Sequence, residues 1–235
     1  MNIYLDSLTT ALQLIITADA VLLEIISLSL RVSLSALALS CIFGITLGTM
    51  LAIRSFRGRG VIISIVNAMM GLPPVVVGLI VYLHLSRSGP LGWMGLLYTP
   101  SAMIIAQIIL ITPIIIALTC QMIEDLHEDY RDLFASLSVS RLSAIKAYII
   151  DARYSLLTVI LAGFGRAISE VGAVIIVGGN IDHLTRVMTT TIALETSKGE
   201  LALALALGAI LLAMAMAVNL AATWLKHLAK RRAYA

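Results

Sequence analysis

The chain has 235 residues, 60% of them hydrophobic and only 12% charged, against about 25% charged residues in a soluble domain. That leaves too little polar surface to cover a globule in water, so lipid is the expected solvent for most of the chain. The net charge of +3 is too small to argue for a nucleic-acid partner, and in a membrane protein the placement of Lys and Arg matters more than their sum. The only cysteines, Cys41 and Cys120, sit inside apolar runs and read as packing residues rather than a disulfide or a metal site.

The N-terminal stretch lacks the Lys/Arg cluster of a cleavable signal and carries Asp6, Asp19 and Glu24 instead, so it reads as a short retained tail. Residues Leu8 to Ala18 are apolar but short for a crossing, and an interfacial helix is expected there, with a sixth span as the alternative. The first clear span runs from Ile26 to Ile53, where Gly44 and Gly48 allow close helix approach. The second runs from Val61 to Leu85, and Pro73 and Pro74 inside it predict a kink. The third runs from Thr99 to Ile123, with a further kink expected at Pro113. These kinks read as bends that shape a cavity, or equally as static ones.

Residues 124–153 form a long connection whose first part is rich in acids: Glu124, Asp125, Glu128, Asp129 and Asp132. Leu126, Tyr130, Leu133, Phe134 and Leu137 follow at helical spacing and predict one apolar stripe. The acids are expected at the N-terminal end of that helix, where its dipole favours them. A helix lying on lipid headgroups is usually basic, so a protein partner suits this one better. The fourth span is expected from Tyr154 to Val177 and the fifth from Leu201 to Leu225. The Leu-Ala alternation of Leu201 to Leu207 mimics a strand, but the run continues apolar for a full crossing without turn signals.

The basic residues set the orientation. Arg54, Arg57 and Arg59 lie between spans one and two. Arg131, Arg141, Lys146 and Arg153 lie between three and four, and Lys226, Lys230, Arg231 and Arg232 follow span five. Positive loops stay in the cytoplasm, which places the N-terminus outside, the C-terminus inside and the 124–153 loop in the cytoplasm.

That loop resembles the coupling loop of ABC importer permeases, whose pattern is Glu-Ala-Ala, three residues, then Gly. Asp132 stands for the Glu, Leu133 and Phe134 for the two Ala, and Ser138 for the Gly. Replacing the Gly departs from the usual turn chemistry, although Ser is a tolerable turn residue. The resemblance implies an ATPase-docking coupling helix of Asp132, Leu133, Phe134, Ala135, Leu137, Ser138 and Arg141. A more specific match lies in Phe164-Gly165-Arg166-Ala167-Ile168-Ser169-Glu170-Val171-Gly172-Ala173 and on through Gly178-Gly179-Asn180 to Thr196. It resembles the permeases of tungstate ABC importers and, less closely, those of molybdate and sulfate. The Leu72 to Leu79 stretch is similar to them too, and the likeness covers about Leu30 to Thr223.

The resemblance implies an all-α integral membrane fold of the type I ABC importer kind, one permease domain over residues 1–235, with about five spans. It also implies a second copy of the chain, a cytoplasmic ATPase dimer and an extracytoplasmic oxyanion-binding protein as partners, besides membrane lipid.

On their own chemistry, Arg166 and Glu170 share a helix face. Each charge alone costs about 2.5–3.5 kcal/mol in hydrocarbon, so they are expected to pair, as a structural lock or gate rather than an anion ligand. Asn180, Thr185, Arg186, Thr189, Thr190 and Thr191 offer donors that could line the outer pathway or cap a helix and shape a loop; both readings stand. No phosphate-binding Gly-x-x-x-x-Gly-Lys-Ser/Thr loop occurs. His84, His127, His183 and His227 show no metal spacing, and no catalytic constellation is evident. No cofactor is expected, and energy must come from a partner or an ion gradient. A gradient-driven carrier or channel would carry intramembrane ionisable groups or inverted repeats, and a membrane-embedded enzyme would need the missing catalytic groups.

Overall fold

The computed structural model describes residues 2–17 and 19–233, with 2–6, 141–142, 222 and 225–233 as backbone only. Ala18 and the side chains of Arg141, Lys226, Lys230, Arg231 and Arg232 therefore lie outside the description. Among the described residues every regular element is helical: α1 (Asn2–Ile16), α2 (Ala20–Ile53), α3 (Arg59–Met69), α4 (Pro74–Leu85), α5 (Pro100–Ser136), α6 (Arg141–Asp151), α7 (Arg153–Ile168), α8 (Gly172–Gly178), α9 (Met188–Lys198) and α10 (Leu201–Ala233). Three helices are long and apolar enough to cross a membrane, or five if each of two bent pairs forms one span.

The centre is α2 packed along α5. Asp19 caps α2 by accepting from the amides of Val21 at 3.0 Å and Leu22 at 3.1 Å, which satisfies donors that a helix start leaves open. The small residues of α2 let α5 approach closely. A Cβ at Gly48 would stand 2.7 Å from the Ile116 carbonyl, and one at Gly44 would stand 2.7 Å from Ile115 Cγ2. The core between them is sealed by Ile111 and Ile115 of α5, Ala36 of α2, and Val159 and Phe164 of α7. On the far side α10 is one helix, as its unbroken apolar run predicts, and α1 packs against it, with Ala11 buried in the core that also holds Leu207.

Three expectations change. The Val61–Leu85 span is broken rather than kinked: α3 and α4 meet at 99°. Pro73 and Pro74 are the reason. Pro73 sits extended as the N-cap and Pro74 is the first helical residue of α4, where a missing amide costs nothing. Pro113 is different, because α5 continues through it and buries it. The second change is in the Tyr154–Val177 span, where α7 ends at Ile168 and α8 begins only at Gly172. The third concerns the acids of the 124–153 loop. They do not start a helix. They lie inside α5, which runs unbroken for 37 residues, about 55 Å at the helical rise. The composition shift at Glu124 therefore falls within the helix and does not mark its end.

Candidate functional site

Beyond Ile123, α5 carries the predicted stripe, and the fold divides it between two faces. Leu126, Tyr130 and Phe134 turn inward and pack with Ala144, Tyr148 and Ala152 around α6. The Phe134 ring lies 5.4 Å from that of Tyr148 and 5.6 Å from that of Tyr130. The Tyr130 hydroxyl donates to Asp151 Oδ2 at 2.7 Å. That bond to a carboxylate acceptor, with the charge behind it, holds the Tyr130 proton above its ordinary range. Leu133 and Leu137 turn the other way and are 52% and 65% exposed, with Asp132, Ala135 and Ser136 also exposed. Of the predicted docking pair Leu133 and Phe134, the first presents an open apolar surface while the second anchors the turn.

α5 ends at Ser136 with Leu137 as its C-cap, and Ser138 follows at φ 52°, in the left-handed region that favours Gly. Ser140 then caps α6 by accepting from the Ser143 amide at 3.2 Å. At the same end of the bundle Arg59, opening α3, pairs with Glu124 of α5 and donates through Nε to the Leu51 carbonyl at 2.7 Å. The 54–59 connection and the root of the 124–153 loop therefore share one end, as the distribution of basic residues predicts.

The second region is the break between α7 and α8. Arg166 and Glu170 do pair, but across the end of α7 rather than along an intact helix. The Glu170 side chain is 3% exposed and that of Arg166 is 27% exposed. The second oxygen of Glu170 accepts from the Ala173 amide at 3.0 Å, so one carboxylate neutralises a cation and caps α8. Carbonyls freed by the break are satisfied from neighbouring helices. Gln107 of α5 donates through Nε2 to the Ala167 carbonyl at 3.1 Å, and Thr189 of α9 donates to the Glu170 carbonyl at 2.8 Å. Non-helical backbone at membrane depth needs such partners.

The hydroxyls read as pathway lining or as a cap and loop hold the backbone in the same way. Thr185 is buried, donating to the Gly178 carbonyl at 2.6 Å and accepting from the Ile181 amide at 2.9 Å. Thr190 donates to Asn180 Oδ1 at 2.8 Å, and Thr191 to the Val187 carbonyl at 2.7 Å. Arg186 pairs with Asp182 at 2.8 Å. These groups shape the 179–191 segment, around a left-handed Gly179 and Asn180 that stop α8. His183 ties that segment to α2 through Glu24 at 2.9 Å, and the carboxylate beside it raises its pKa.

Sequence reasoning did not single out Gln107, Ser29, which accepts from the Met188 amide at 2.8 Å, or the Glu24–His183 contact. For Gln107 a signal existed: it is an amide in the middle of an apolar run, which hydrocarbon tolerates only when partnered. Among the described residues there is no group of three or more His, Cys, Asp or Glu that could hold a metal. The assembled geometry suits mechanics: an exposed apolar knob at one end and a hydrogen-bonded helix break in the middle.

The family described as the inner membrane component of binding-protein-dependent transport systems matches residues 44–233. A probable anion ABC transporter permease protein of Haloferax volcanii is 43% identical over 203 residues, covering 84% of this chain and 88% of that protein. Tungstate uptake system permease proteins of Peptoclostridium acidaminophilum and Campylobacter jejuni are 39% and 37% identical, over 93% and 91% of this chain and 96% and 90% of theirs. The chain belongs to the family of inner membrane permease components of binding-protein-dependent transport systems.

Proposed function

We propose that this chain is the membrane-spanning subunit of an ATP-driven importer whose cargo is an oxyanion, tungstate first among them. Two copies form the path, a cytoplasmic ATPase dimer drives them, and an extracytoplasmic binding protein delivers the anion. ATP is hydrolysed by the partner. The 124–153 loop and the C-terminus face the cytoplasm and the N-terminus lies outside, in keeping with the excess of basic residues in the connections on one side. The tungstate assignment rests on the similarity to tungstate uptake permeases over nearly the full length of the chain.

The observation that carries the coupling role is the exposed pair Leu133 and Leu137, on a helix that has already left the apolar part of the bundle. Two large apolar side chains held open beside Asp132, just before a fixed turn, suit a protein socket better than water. Phe134 supports that knob from behind. Arg166 and Glu170 act as a positioning pair for the gate, and the 180–191 hydroxyls hold the segment that the gate moves against.

The test is reconstitution with the ATPase and the binding protein in proteoliposomes. Leu133→Asp with Leu137→Asp is expected to abolish tungstate-stimulated ATP hydrolysis and uptake while the permease still inserts and pairs. Unchanged coupling overturns the docking assignment. Competition by molybdate at equal concentration is expected to leave most tungstate uptake intact; equal competition withdraws tungstate as the preferred cargo.

A further inference from the structure

At the α5–α6 end a cavity of about 820 Å³ opens between the last residues of α2 and the α5–α6 turn. Its walls are apolar and aromatic: Ile53 and Phe56 from the α2 side, Phe134, Val139 and Tyr148 from the other. Two guanidinium groups, Arg54 and Arg131, stand in the same lining, and no Asp or Glu does. His127 closes the floor, its ring nitrogen 2.8 Å from the Tyr148 hydroxyl.

The cations are not neutralised from nearby. Arg54 is exposed and forms no ion pair among the described residues. Arg131 approaches only Asp132, at 3.5 Å, with both side chains largely in water, a contact of little value. Glu124 is engaged by Arg59 and Asp151 by the Tyr130 hydroxyl, and Asp125, Glu128 and Asp129 of α5 neither line the cavity nor form an ion pair with either arginine.

We propose that this cavity binds an anionic phospholipid, its phosphate between Arg54 and Arg131 and its upper acyl chain against Ile53 and Phe56. Three features select that occupant. A free inorganic anion would use the two cations and leave the aromatic wall unused. A neutral lipid would use the wall and leave two guanidinium groups without a counter-charge. The cavity also sits where the apolar run of α2 ends at Ile53 and the 43% exposed Phe56 follows, the level at which headgroups meet protein. Basic pockets of this kind between spanning helices take anionic headgroups. The choice of the cytoplasmic leaflet rests on the sidedness proposed above; the binding itself does not.

One wall of the cavity is the inner face of the turn whose outer face carries Leu133 and Leu137. A lipid seated there braces the docking knob against α2, so the composition of the leaflet would tune coupling.

The experiment uses the permease with its ATPase in nanodiscs of phosphatidylcholine containing a minor fraction of phosphatidylglycerol, with retained lipid counted by native mass spectrometry after extraction. Wild type is expected to retain phosphatidylglycerol selectively. Each basic group near the phosphate contributes roughly a factor of five, so Arg54→Gln with Arg131→Gln is expected to lower retention about 30-fold. Ser55→Trp, which fills the cavity and keeps both cations, is expected to lower it as well. Retention unchanged in both variants overturns the proposal. Release of the lipid by excess inorganic phosphate alone marks a phosphate site and overturns it too. If the arginine variant loses the ATPase while lipid retention stays unchanged, the cavity is a seat for that partner and the lipid assignment falls. Because lipid is counted without uptake or hydrolysis, failure here is separable from failure of the importer reading.

Discussion

Replacing Glu170 with Ala removes a carboxylate that performs two tasks at the α7–α8 break. It strands Arg166, whose side chain is only 27% exposed, and it leaves the Ala173 amide without its cap. Breaking a buried pair by deleting one partner costs about 3–5 kcal/mol, and the partial exposure of Arg166 argues for the lower end. The lost cap adds about 1 kcal/mol, giving about 4 kcal/mol in all. A double change, Arg166→Met with Glu170→Gln, behaves differently. It strands no ion and keeps a side-chain oxygen within reach of the Ala173 amide, so the expected loss is about 1 kcal/mol, that of a buried amide whose donors lack a full set of partners. At about 2–4 °C per kcal/mol for a chain of this size, the single variant should melt about 10 °C below wild type and the double within about 4 °C. Thermal unfolding of purified protein in detergent, followed by tryptophan fluorescence, reads both. A double variant as unstable as Glu170→Ala would refute the pairing argument, since no stranded charge would then explain the loss.

Ser138 holds φ 52°, a region that costs a residue with a side chain about 1–2 kcal/mol, so Ser138→Gly should raise the melting point slightly and Ser138→Val should lower it; the reverse order would mean the turn is not left-handed. Gly48→Ala places a methyl 2.7 Å from the Ile116 carbonyl and should cost about 1–3 kcal/mol through overpacking, whereas Gly208→Ala, with nothing within 4 Å, should be neutral or stabilising in the same melt. The carboxylate of Glu24 raises the His183 pKa from its ordinary 6.5. The contact is therefore fully present below that ordinary value and is lost as pH rises through the raised one. NMR titration of the ring should show the pKa falling toward 6.5 in Glu24→Gln, and an unchanged value would remove the pair.

Much of this architecture could be read from the residues alone because hydrocarbon enforces it. The runs at Ile26–Ile53, Thr99–Ile123 and Leu201–Leu225 carried no turn cluster, with Pro113 the single breaker inside them, and all three form helices. Pro73-Pro74 announced the place of a bend but not its size, since proline fixes one dihedral and leaves the tertiary contacts of Val75 and Gly78 to set the angle. The α7–α8 break gave no such notice. Ser169 and Glu170 interrupt a run that is otherwise apolar and glycine-rich, and whether a glycine ends a helix or packs one depends on what faces it. Gly172 has Val75 against it, while Gly165 has nothing within 4 Å. The Thr cluster left two readings open for a related reason: composition counts donors, but only the fold supplies the carbonyls of Gly178, Glu170 and Val187 to which they donate. The division of Leu133 from Phe134 was hidden because neighbouring residues on a helix stand about 100° apart, and the spacing alone does not say which side α6 will cover.

The two broken spans are not independent. A Cβ at Gly172 would meet Val75 at 2.9 Å, and one at Gly78 would meet the Ala173 backbone at 2.8 Å, so α4 and α8 start together and run in parallel, in backbone contact. Both breaks thus open at one level, with α5 alongside as an unbroken rod that packs against α3, α4, α7 and α8. A rod of packed helix has no soft joint along its length, whereas residues 70–73 and 169–171 have few helical bonds to lose. Displacement applied at Leu133 and Leu137 would therefore be relieved at those two breaks and not within α5. Gln107 sits where the rod touches the second of them, so under the proposed coupling role that hydrogen bond is where motion of the rod is expected to reach the α7–α8 break.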